Sequence, residues 1–184
     1  MFSRLRFSFR PHLAYRVLPA LVASLLVFSA THEAHASSGT AIGVDLDYTN
    51  GINENAVGSG TGFNVRLGYK LDLLLAQITP EVGGGYHTFS GDAGAKFSRG
   101  FVGGRLAFGK ILEPGVYAHL GYGHLGSDFG GHSGATVDAG LTLDLTLLPF
   151  IDLGVHGGYS GMLKSGDFEA FDSYVLGVHG ALVF

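Results

Sequence analysis

The chain has no cysteine and no tryptophan, has five prolines in 184 residues, and has few charged side chains. Without cysteine it can form neither a disulfide framework nor a thiolate metal site. Charged residues make up 14% of the chain, whereas soluble domains usually contain about 25%. Glycine is abundant at 31 residues, but 14 Phe and 8 Tyr residues accompany it. Disordered Gly-rich chains contain few aromatic residues, so this composition favours a folded chain with little charged surface.

The first 36 residues have the features of a secretory signal peptide. Four arginines precede or border an apolar segment over residues 17–30, which is shorter than the ~20 residues of a membrane-spanning helix. Ala34 and Ala36 form an A-x-A cleavage signal. We therefore expect cleavage before Ser37 and export of residues 37–184. The alternative is an uncleaved membrane anchor.

The exported segment is predicted to be acidic. The four arginines and Glu33 are the charged residues of the first 36 positions, so the totals of 11 basic and 15 acidic residues fall to 7 and 14. The formal net charge is then −7. An acidic chain without a basic cluster is a poor nucleic-acid binder, and we expect no nucleic-acid partner.

Apolar and polar residues alternate along the exported segment, and no apolar run there is long enough for a spanning helix. Alternation over about ten residues is the pattern of a strand that crosses a bilayer at a tilt. An even number of such strands can close into an antiparallel barrel without free edges. We therefore predict an all-β, eight-stranded, up-and-down transmembrane barrel over 37–184. Its predicted strands are 42–48, 63–71, 76–87, 102–108, 116–123, 137–145, 151–159 and 174–184.

A soluble β-sandwich would show the same alternation, but the aromatic residues and the connections distinguish the two folds. Tyrosines lie at strand ends beside long connections, and phenylalanines lie near the opposite ends. Two aromatic girdles around an aliphatic band are typical of outer-membrane barrels. Long connections predicted over 50–60, 90–98, 126–134 and 161–170 alternate with short ones. The predicted girdle residues are Tyr48, Tyr86, Tyr122, Tyr159, Tyr174, Phe108, Phe150 and Phe184.

The strand pattern and size resemble the small outer-membrane barrel superfamily of the OmpA membrane domain, OmpX and OmpW. The segment 174–184 has apolar residues at alternate positions and ends on Phe184. It resembles the signal that the barrel-assembly machinery reads, although Gly180 departs from that pattern. The resemblance covers residues 37–184 and implies a monomeric barrel in a Gram-negative outer membrane. The implied partners are outer-membrane lipids, periplasmic chaperones and the barrel-assembly machinery. Members differ widely in activity.

The inward positions of the predicted strands are rich in ionisable residues. An eight-stranded barrel is just wide enough inside for side chains to fill, and an unpaired buried ion costs several kcal/mol. We therefore favour a structural or surface-interaction barrel whose paired network closes the lumen. The alternative is an OmpW-type pathway for protons or small solutes, because inward acids outnumber Lys and Arg. The predicted network is Asp45, Asp47, Arg66, Lys70, Glu81, Arg105, His119, Asp138, Asp144, Asp152, His156 and His179.

Glu81 has a specific predicted role in that network. It projects inward from the third predicted strand, between Arg66 on the second and Arg105 on the fourth. Neighbouring strands lie about 5 Å apart. We expect the Glu81 carboxylate to bridge both guanidinium groups if the register permits.

Candidate catalytic residues lie near the predicted outer rim, where some small barrels use Ser, His and a carboxylate to modify lipid A. His132 and Ser133 are adjacent, which does not match the His-x-Ser pattern of the lipid A 3-O-deacylase barrel. We expect no enzymatic activity, with a lipid A-modifying hydrolase or acyltransferase as the second alternative. No local His and Asp spacing indicates a metal site, and no cofactor is expected. The rim candidates are His124, Asp128, His132, Ser133, Asp172 and Ser173.

Aromatic residues in or beside the long connections have two interpretations. Exposed aromatic residues can anchor a binding partner, or they can cover the rim or extend the girdle, which we favour. Inward glycines have a separate predicted role, which is to leave space for Tyr117 and the charged side chains; examples are Gly121, Gly123, Gly140 and Gly154. The aromatic residues in question are Phe89, Phe97, Phe129, Phe168 and Phe171.

Overall fold

The computed structural model describes residues 38–52, 58–73, 75–91, 94–127, 130–148, 150–163 and 170–184. Within these ranges, eight antiparallel strands pair in sequence order and β1 pairs with β8, which closes the barrel. This is the all-β, up-and-down barrel that the alternation predicts. The strands are β1 (Gly39–Gly51), β2 (Ser59–Leu73), β3 (Ala76–Phe89), β4 (Lys96–Phe108), β5 (Leu112–Ser127), β6 (Gly130–Leu148), β7 (Ile151–Met162) and β8 (Phe171–Val183).

The predicted signal peptide and its cleavage site at Ala34, Ala36 and Ser37 lie outside the described residues. Across the ranges that are described, no helix is long and apolar enough to cross a membrane.

The predicted long connection over 126–134 is wrong. Gly126 pairs with Gly131 and Ser127 pairs with Gly130, so residues 128 and 129 are all that separate β5 from β6. Strand β4 likewise begins at Lys96, six residues before its predicted start. Glycine and serine suggested a loop because they are common in turns. Ladder hydrogen bonds use the backbone groups that these residues also have, so the hairpin continues through them.

Alternate residues along each strand face the lumen and the outer surface. On β1, Asp45 and Asp47 are buried, whereas Leu46 between them is 58% exposed. Val102, Leu120 and Leu176 on other strands are also exposed. A soluble sandwich would bury such side chains, so the sandwich alternative is wrong. A barrel surface covered with exposed aliphatic residues is stable against hydrocarbon, where closure satisfies every ladder hydrogen bond.

The predicted girdle residues face outward. Their exposed fractions run from 37% for Tyr159 to 73% for Phe184, and Phe150 is partly exposed. The register places Tyr159 opposite Tyr174. It also places Phe63, which the prediction did not include, opposite Tyr86. At these two places, aromatic residues of adjacent strands are neighbours on the outer surface.

The two ends of the barrel have different connections. At the turn end, residues 74–75, 109–111 and 149–150 join the strands, and β1 begins and β8 ends there. At the loop end, residues 52–58, 90–95, 128–129 and 163–170 join the strands. Two backbone hydrogen bonds close the barrel at the turn end. Thr40 N donates to Phe184 O over 2.8 Å, and Phe184 N donates to Thr40 O over 2.9 Å.

Candidate functional site in the barrel lumen

The Glu81 carboxylate on β3 lies at the centre of the lumen network. It accepts hydrogen bonds from Arg105 Nε at 3.0 Å and from Arg66 Nη1 at 3.3 Å. Its side chain is 0% exposed. Arg66 and Arg105 lie on β2 and β4, the two strands that flank β3. One carboxylate therefore contacts both guanidinium groups, which is the geometry expected from the order of the strands.

Asp45 on β1 completes a ring of alternating charges with these three residues. Arg66 Nε donates to Asp45 Oδ1 over 2.9 Å, and Arg105 Nη2 lies 3.7 Å from the same oxygen. Each guanidinium thus has a carboxylate on two sides. A buried ion needs this kind of compensation, because removal from water costs several kcal/mol.

A second branch of the network starts from His119 on β5. His119 Nε2 lies 2.6 Å from Glu81 Oε1, and His119 Nδ1 lies 2.7 Å from Asp138 Oδ2. Asp138 on β6 also forms an ion pair with Arg99. Arg99 was missing from the predicted network because the predicted fourth strand began after it. It has the same parity as Arg105 on β4, so extending the alternation backwards would have identified it.

A chain of histidines and aspartates runs along the other side of the lumen. Asp47 Oδ2 lies 2.9 Å from His87 Nε2, and Asp47 Oδ1 lies 2.9 Å from His156 Nε2. His156 Nδ1 lies 3.1 Å from His179 Nδ1. His179 Nε2 in turn contacts Asp144. His87 ends the third predicted strand at an even spacing from Glu81, which places it on the inward face, but it was left out of the predicted network.

Lys70 and Asp152 form a pair nearer the turn end, with Lys70 Nζ 2.9 Å from Asp152 Oδ2. Their side chains are 12% and 16% exposed, more than those of most network residues. Glu113, which the sequence reasoning missed, is buried close by and accepts a hydrogen bond from Gln77 Nε2 over 3.1 Å. Glu113 falls in a short connection between the predicted fourth and fifth strands. On β5 it lies an even number of residues from Tyr117, so both side chains face the same side of the strand. All twelve predicted network residues therefore face the lumen and contact a partner.

Apolar side chains fill the lumen at the loop end, beyond His87. Phe97 is 3% exposed, and the ring centroids of Phe89 and Phe171 lie 5.4 Å apart in an edge-to-face arrangement. These three rings pack inside the loop-end rim, which agrees with the expectation that they cover it. They neither extend the outer girdle nor form exposed anchors, so those two interpretations are wrong for them. Phe129 and Phe168 lie outside the described residues. The loop-end cluster consists of Phe89, Ala95, Phe97, Leu125, Met162 and Phe171.

Two small cavities lie among the described lumen side chains. The larger, of about 40 Å³, lies toward the turn end and is lined by residues that include Lys70, Arg105, Asp144 and His179. The smaller, of about 20 Å³, lies beside Tyr117. A buried water needs roughly 10–15 Å³ of such space, so these cavities have room for one to a few water molecules.

No protein-family model matches this sequence, and no curated protein matches it significantly. Solved structures do match its fold. Neisserial surface protein A (NspA) aligns with a TM-score of 0.63 and 16% identity over 80% of this chain and 98% of that chain. The N-terminal barrel of Pseudomonas aeruginosa OprF aligns with a TM-score of 0.53 and 12% identity, covering 80% and 100%. Ail of Yersinia pestis aligns with a TM-score of 0.51 and 14% identity, covering 80% and 97%.

This chain has the fold of the small eight-stranded outer-membrane barrels. The likeness covers nearly the full length of each of these solved barrels. At identities of 12–16% it establishes the architecture, and functions differ widely within one fold.

Inward glycines leave space for large side chains in this eight-stranded barrel. A β-carbon at Gly140 would lie 2.7 Å from Tyr117 Cε1, and one at Gly154 would lie 2.6 Å from His179 Nε2. Gly140 therefore leaves space for Tyr117, and Gly154 leaves space for an ionisable network residue, as predicted. Gly121 and Gly123 instead leave space for other groups, since β-carbons there would lie 2.7 Å from Thr136 Oγ1 and from Phe97 Cε2.

The rim candidates for lipid A chemistry do not converge in the described part of the barrel. His124 Nδ1 lies 2.8 Å from Ser133 Oγ on the exposed β5–β6 hairpin. Asp172 accepts a hydrogen bond from Tyr159, and Ser173 Oγ donates to Ser160 O over 3.1 Å. These contacts form separate pairs. His132 is exposed on β6, and Asp128 lies outside the described residues. No group of three or more His, Cys, Asp or Glu side chains in the described ranges is arranged to hold a metal ion.

Proposed function

We propose that this chain is an integral protein of a Gram-negative outer membrane with a structural or surface-interaction role and a lumen closed to solutes. The observation that carries the proposal is the filling of the lumen. Ion-paired side chains occupy it from Lys70 to His87, and the loop-end cluster occupies the remainder. The turn end faces the periplasm, because short turns and both strand termini occupy that side in outer-membrane barrels.

The closed lumen follows from the cost of separating the charges. Glu81 is fully buried among Arg66, Arg105 and His119. Opening a water path through this cluster would require several charge-assisted hydrogen bonds to break together. The two cavities of about 40 and 20 Å³ have room for a few waters and no room for a hydrated solute. The apolar loop-end cluster offers a permeating ion no polar partner.

The proposed biogenesis and partners follow from the sequence and the outer surface. The chain is exported by a signal peptide removed before Ser37, and periplasmic chaperones pass it to the barrel-assembly machinery. Outer-membrane lipids cover the exposed aliphatic band. A closed barrel has no free strand edge through which copies could pair, which favours a monomer.

A surface-interaction role is supported by the β5–β6 hairpin, which continues beyond the girdle residue Tyr122 to Ser127 and Gly130. Its outer part exposes His124, His132 and Ser133. Such a paired extension gives a partner a more rigid surface than an irregular loop would.

Planar-bilayer recording of the purified protein tests the closed lumen. We expect no steady single-channel current from wild type once heat-modifiable gel migration has shown that the sample is folded. The matched control is a five-site variant. Changing Phe89, Phe97 and Phe171 to glycine removes the rings of the loop-end cluster, and changing Glu81 and Arg105 to alanine removes the central ion pair of the network. Stable ohmic currents from wild type would overturn the proposal and favour the solute pathway. The lipid A alternative is tested by mass spectrometry of lipid A from expressing cells, where we expect no mass change.

A further inference from the structure

Two histidines from adjacent strands face each other through the same ring nitrogen. His156 on β7 and His179 on β8 are both buried, and their Nδ1 atoms lie 3.1 Å apart. Their ring centroids are 5.3 Å apart with planes inclined by 36°. At 3.1 Å, two nitrogens are within hydrogen-bond distance. A bond between them requires one nitrogen to carry a proton and the other to offer a lone pair.

The outer nitrogen of each ring faces a carboxylate. His156 Nε2 lies 2.9 Å from Asp47 Oδ1, and His179 Nε2 contacts Asp144 Oδ1. An ionised carboxylate only accepts hydrogen bonds, so both Nε2 atoms must donate. The Nε2 proton is therefore already present on each ring. Any proton between the two Nδ1 atoms makes one ring an imidazolium while the other stays neutral.

We propose that His156 and His179 form a proton-binding site that holds one shared proton between their Nδ1 atoms. The pair carries a single positive charge. With two protons, both Nδ1 atoms would be donors that face each other. With no proton, the lone pairs of both Nδ1 atoms would face each other in a buried space.

Groups from every surrounding strand bear on this site. Asp47 and Asp45 face it from β1, the latter as the register partner of His179. Asp144 contacts it from β6, and the Tyr117 ring from β5 lies 6.2 Å from the His156 ring. Arg66, His87 and Arg105 line the remaining lumen from β2, β3 and β4, and Arg105 shares the larger cavity with Asp144 and His179. The nearest ionised contacts are thus carboxylates, which favour a positive pair.

The turn end provides the route by which the proton exchanges with solvent. Asp144 and His179 line the larger cavity, which also reaches the partly exposed Lys70 and Asp152. Buried Arg105 Nη1 has no protein partner among the described residues, and Arg105 lines both this cavity and the smaller one, each of which has room for water. On the opposite side, the loop-end cluster separates His87 from solvent.

Nitrogen NMR of the folded, ¹⁵N-histidine-labelled wild-type protein in lipid bicelles tests the proposal. We expect a scalar coupling across the hydrogen bond between the two Nδ1 atoms, with both Nε2 atoms protonated. Two neutral rings without coupling, or two fully protonated rings, would overturn the shared proton.

A His179→Asn variant gives a second test, because the asparagine amide can replace Nδ1 but cannot reach Asp144. We expect loss of the coupling and a His156 ring that is neutral, with its proton on Nε2. His124→Asn on the exposed hairpin is the matched control and should leave the His156 signals unchanged. Unchanged His156 signals in His179→Asn would contradict the proposal. If that variant does not fold, the coupling measured in the wild-type protein still tests the shared proton. Channel currents from wild type would overturn the closed lumen and leave this inference intact.

Discussion

The guanidinium of Arg66 lies over Gly43, its direct register partner across the β1–β2 pair. A β-carbon at Gly43 would be 2.7 Å from Arg66 Cζ and 3.0 Å from its Nε. The absence of a side chain at Gly43 therefore lets Arg66 reach Asp45 and Glu81 together. The ion network depends on glycine spacing as much as on charge.

Gly43→Ala should destabilise the barrel by about 1–3 kcal/mol, because the methyl group displaces a guanidinium held by two ion pairs. The change is measured by urea unfolding of the protein in lipid vesicles, monitored by gel migration or by tyrosine fluorescence, which no tryptophan obscures in this chain. Gly100→Ala is the matched control, since it faces outward and its β-carbon would meet only Gly83 O at 3.9 Å. An equal loss for both variants would show that the cost is a backbone effect.

Glu81→Gln should lower the free energy of unfolding by about 3–5 kcal/mol, because it leaves two buried guanidinium groups without their shared carboxylate. The same unfolding titration applies. Asp152→Asn, at the pair with Lys70 whose side chains are 12% and 16% exposed, should cost less than Glu81→Gln, because solvent screens that pair more than the fully buried Glu81. A Glu81→Gln variant with the wild-type unfolding midpoint would refute the central role of this carboxylate.

Leu141→Arg should destabilise the folded barrel by about 2–4 kcal/mol if the residue lies near the bilayer midplane. Leu141 is exposed midway along the outer face of β6. Leu75→Arg is the control, because Leu75 is equally exposed but lies in the β2–β3 turn, where a charge costs about 0–1 kcal/mol. Indistinguishable unfolding energies for the two variants would place the hydrocarbon boundary elsewhere.

Deletion of Phe184 should reduce the yield of folded protein in the outer membrane. It removes two backbone hydrogen bonds with Thr40 at barrel closure and the terminal aromatic residue of the assembly signal. Membrane fractionation and heat-modifiable migration measure the effect. Phe108→Ala, a change at another exposed aromatic residue of the turn end, should assemble normally. Full assembly after the deletion would show that Phe184 is not part of the assembly signal.

Processing before Ser37 should give a mature protein that begins at that residue, which intact-mass spectrometry of outer-membrane material detects. Ala36→Asp should block cleavage, because the peptidase requires small residues at both flanks of the motif. His35→Asp changes the unconstrained middle position and should be processed normally. Detection of residues 17–30 in the mature protein would favour the membrane-anchor alternative.

Sequence reasoning identified the inward and outward faces because strand periodicity is local. Asp45, Glu81 and His156 face the lumen for the same reason that Leu46 and Leu120 face outward: each follows the two-residue repeat of its own strand. The reasoning failed where a strand continued past its amphipathic part. Arg99, Glu113 and the Gly126–Gly131 pair were missed for this reason, since glycine, proline and serine hid the repeat.

The sequence by itself determined the fold class, the lipid-facing band and the identity of most lumen residues, because alternation and composition act within single strands. The tertiary structure alone decided which of those residues meet. Glu81 reaches Arg66, Arg105 and His119, and His156 meets His179, through the offsets between paired strands. Barrel closure sets those offsets for all strands at once. The two-residue repeat already turns Phe89, Phe97 and Phe171 inward with His87, Arg99 and His179 on their strands. Only the closed barrel decides that these three rings pack in one cluster.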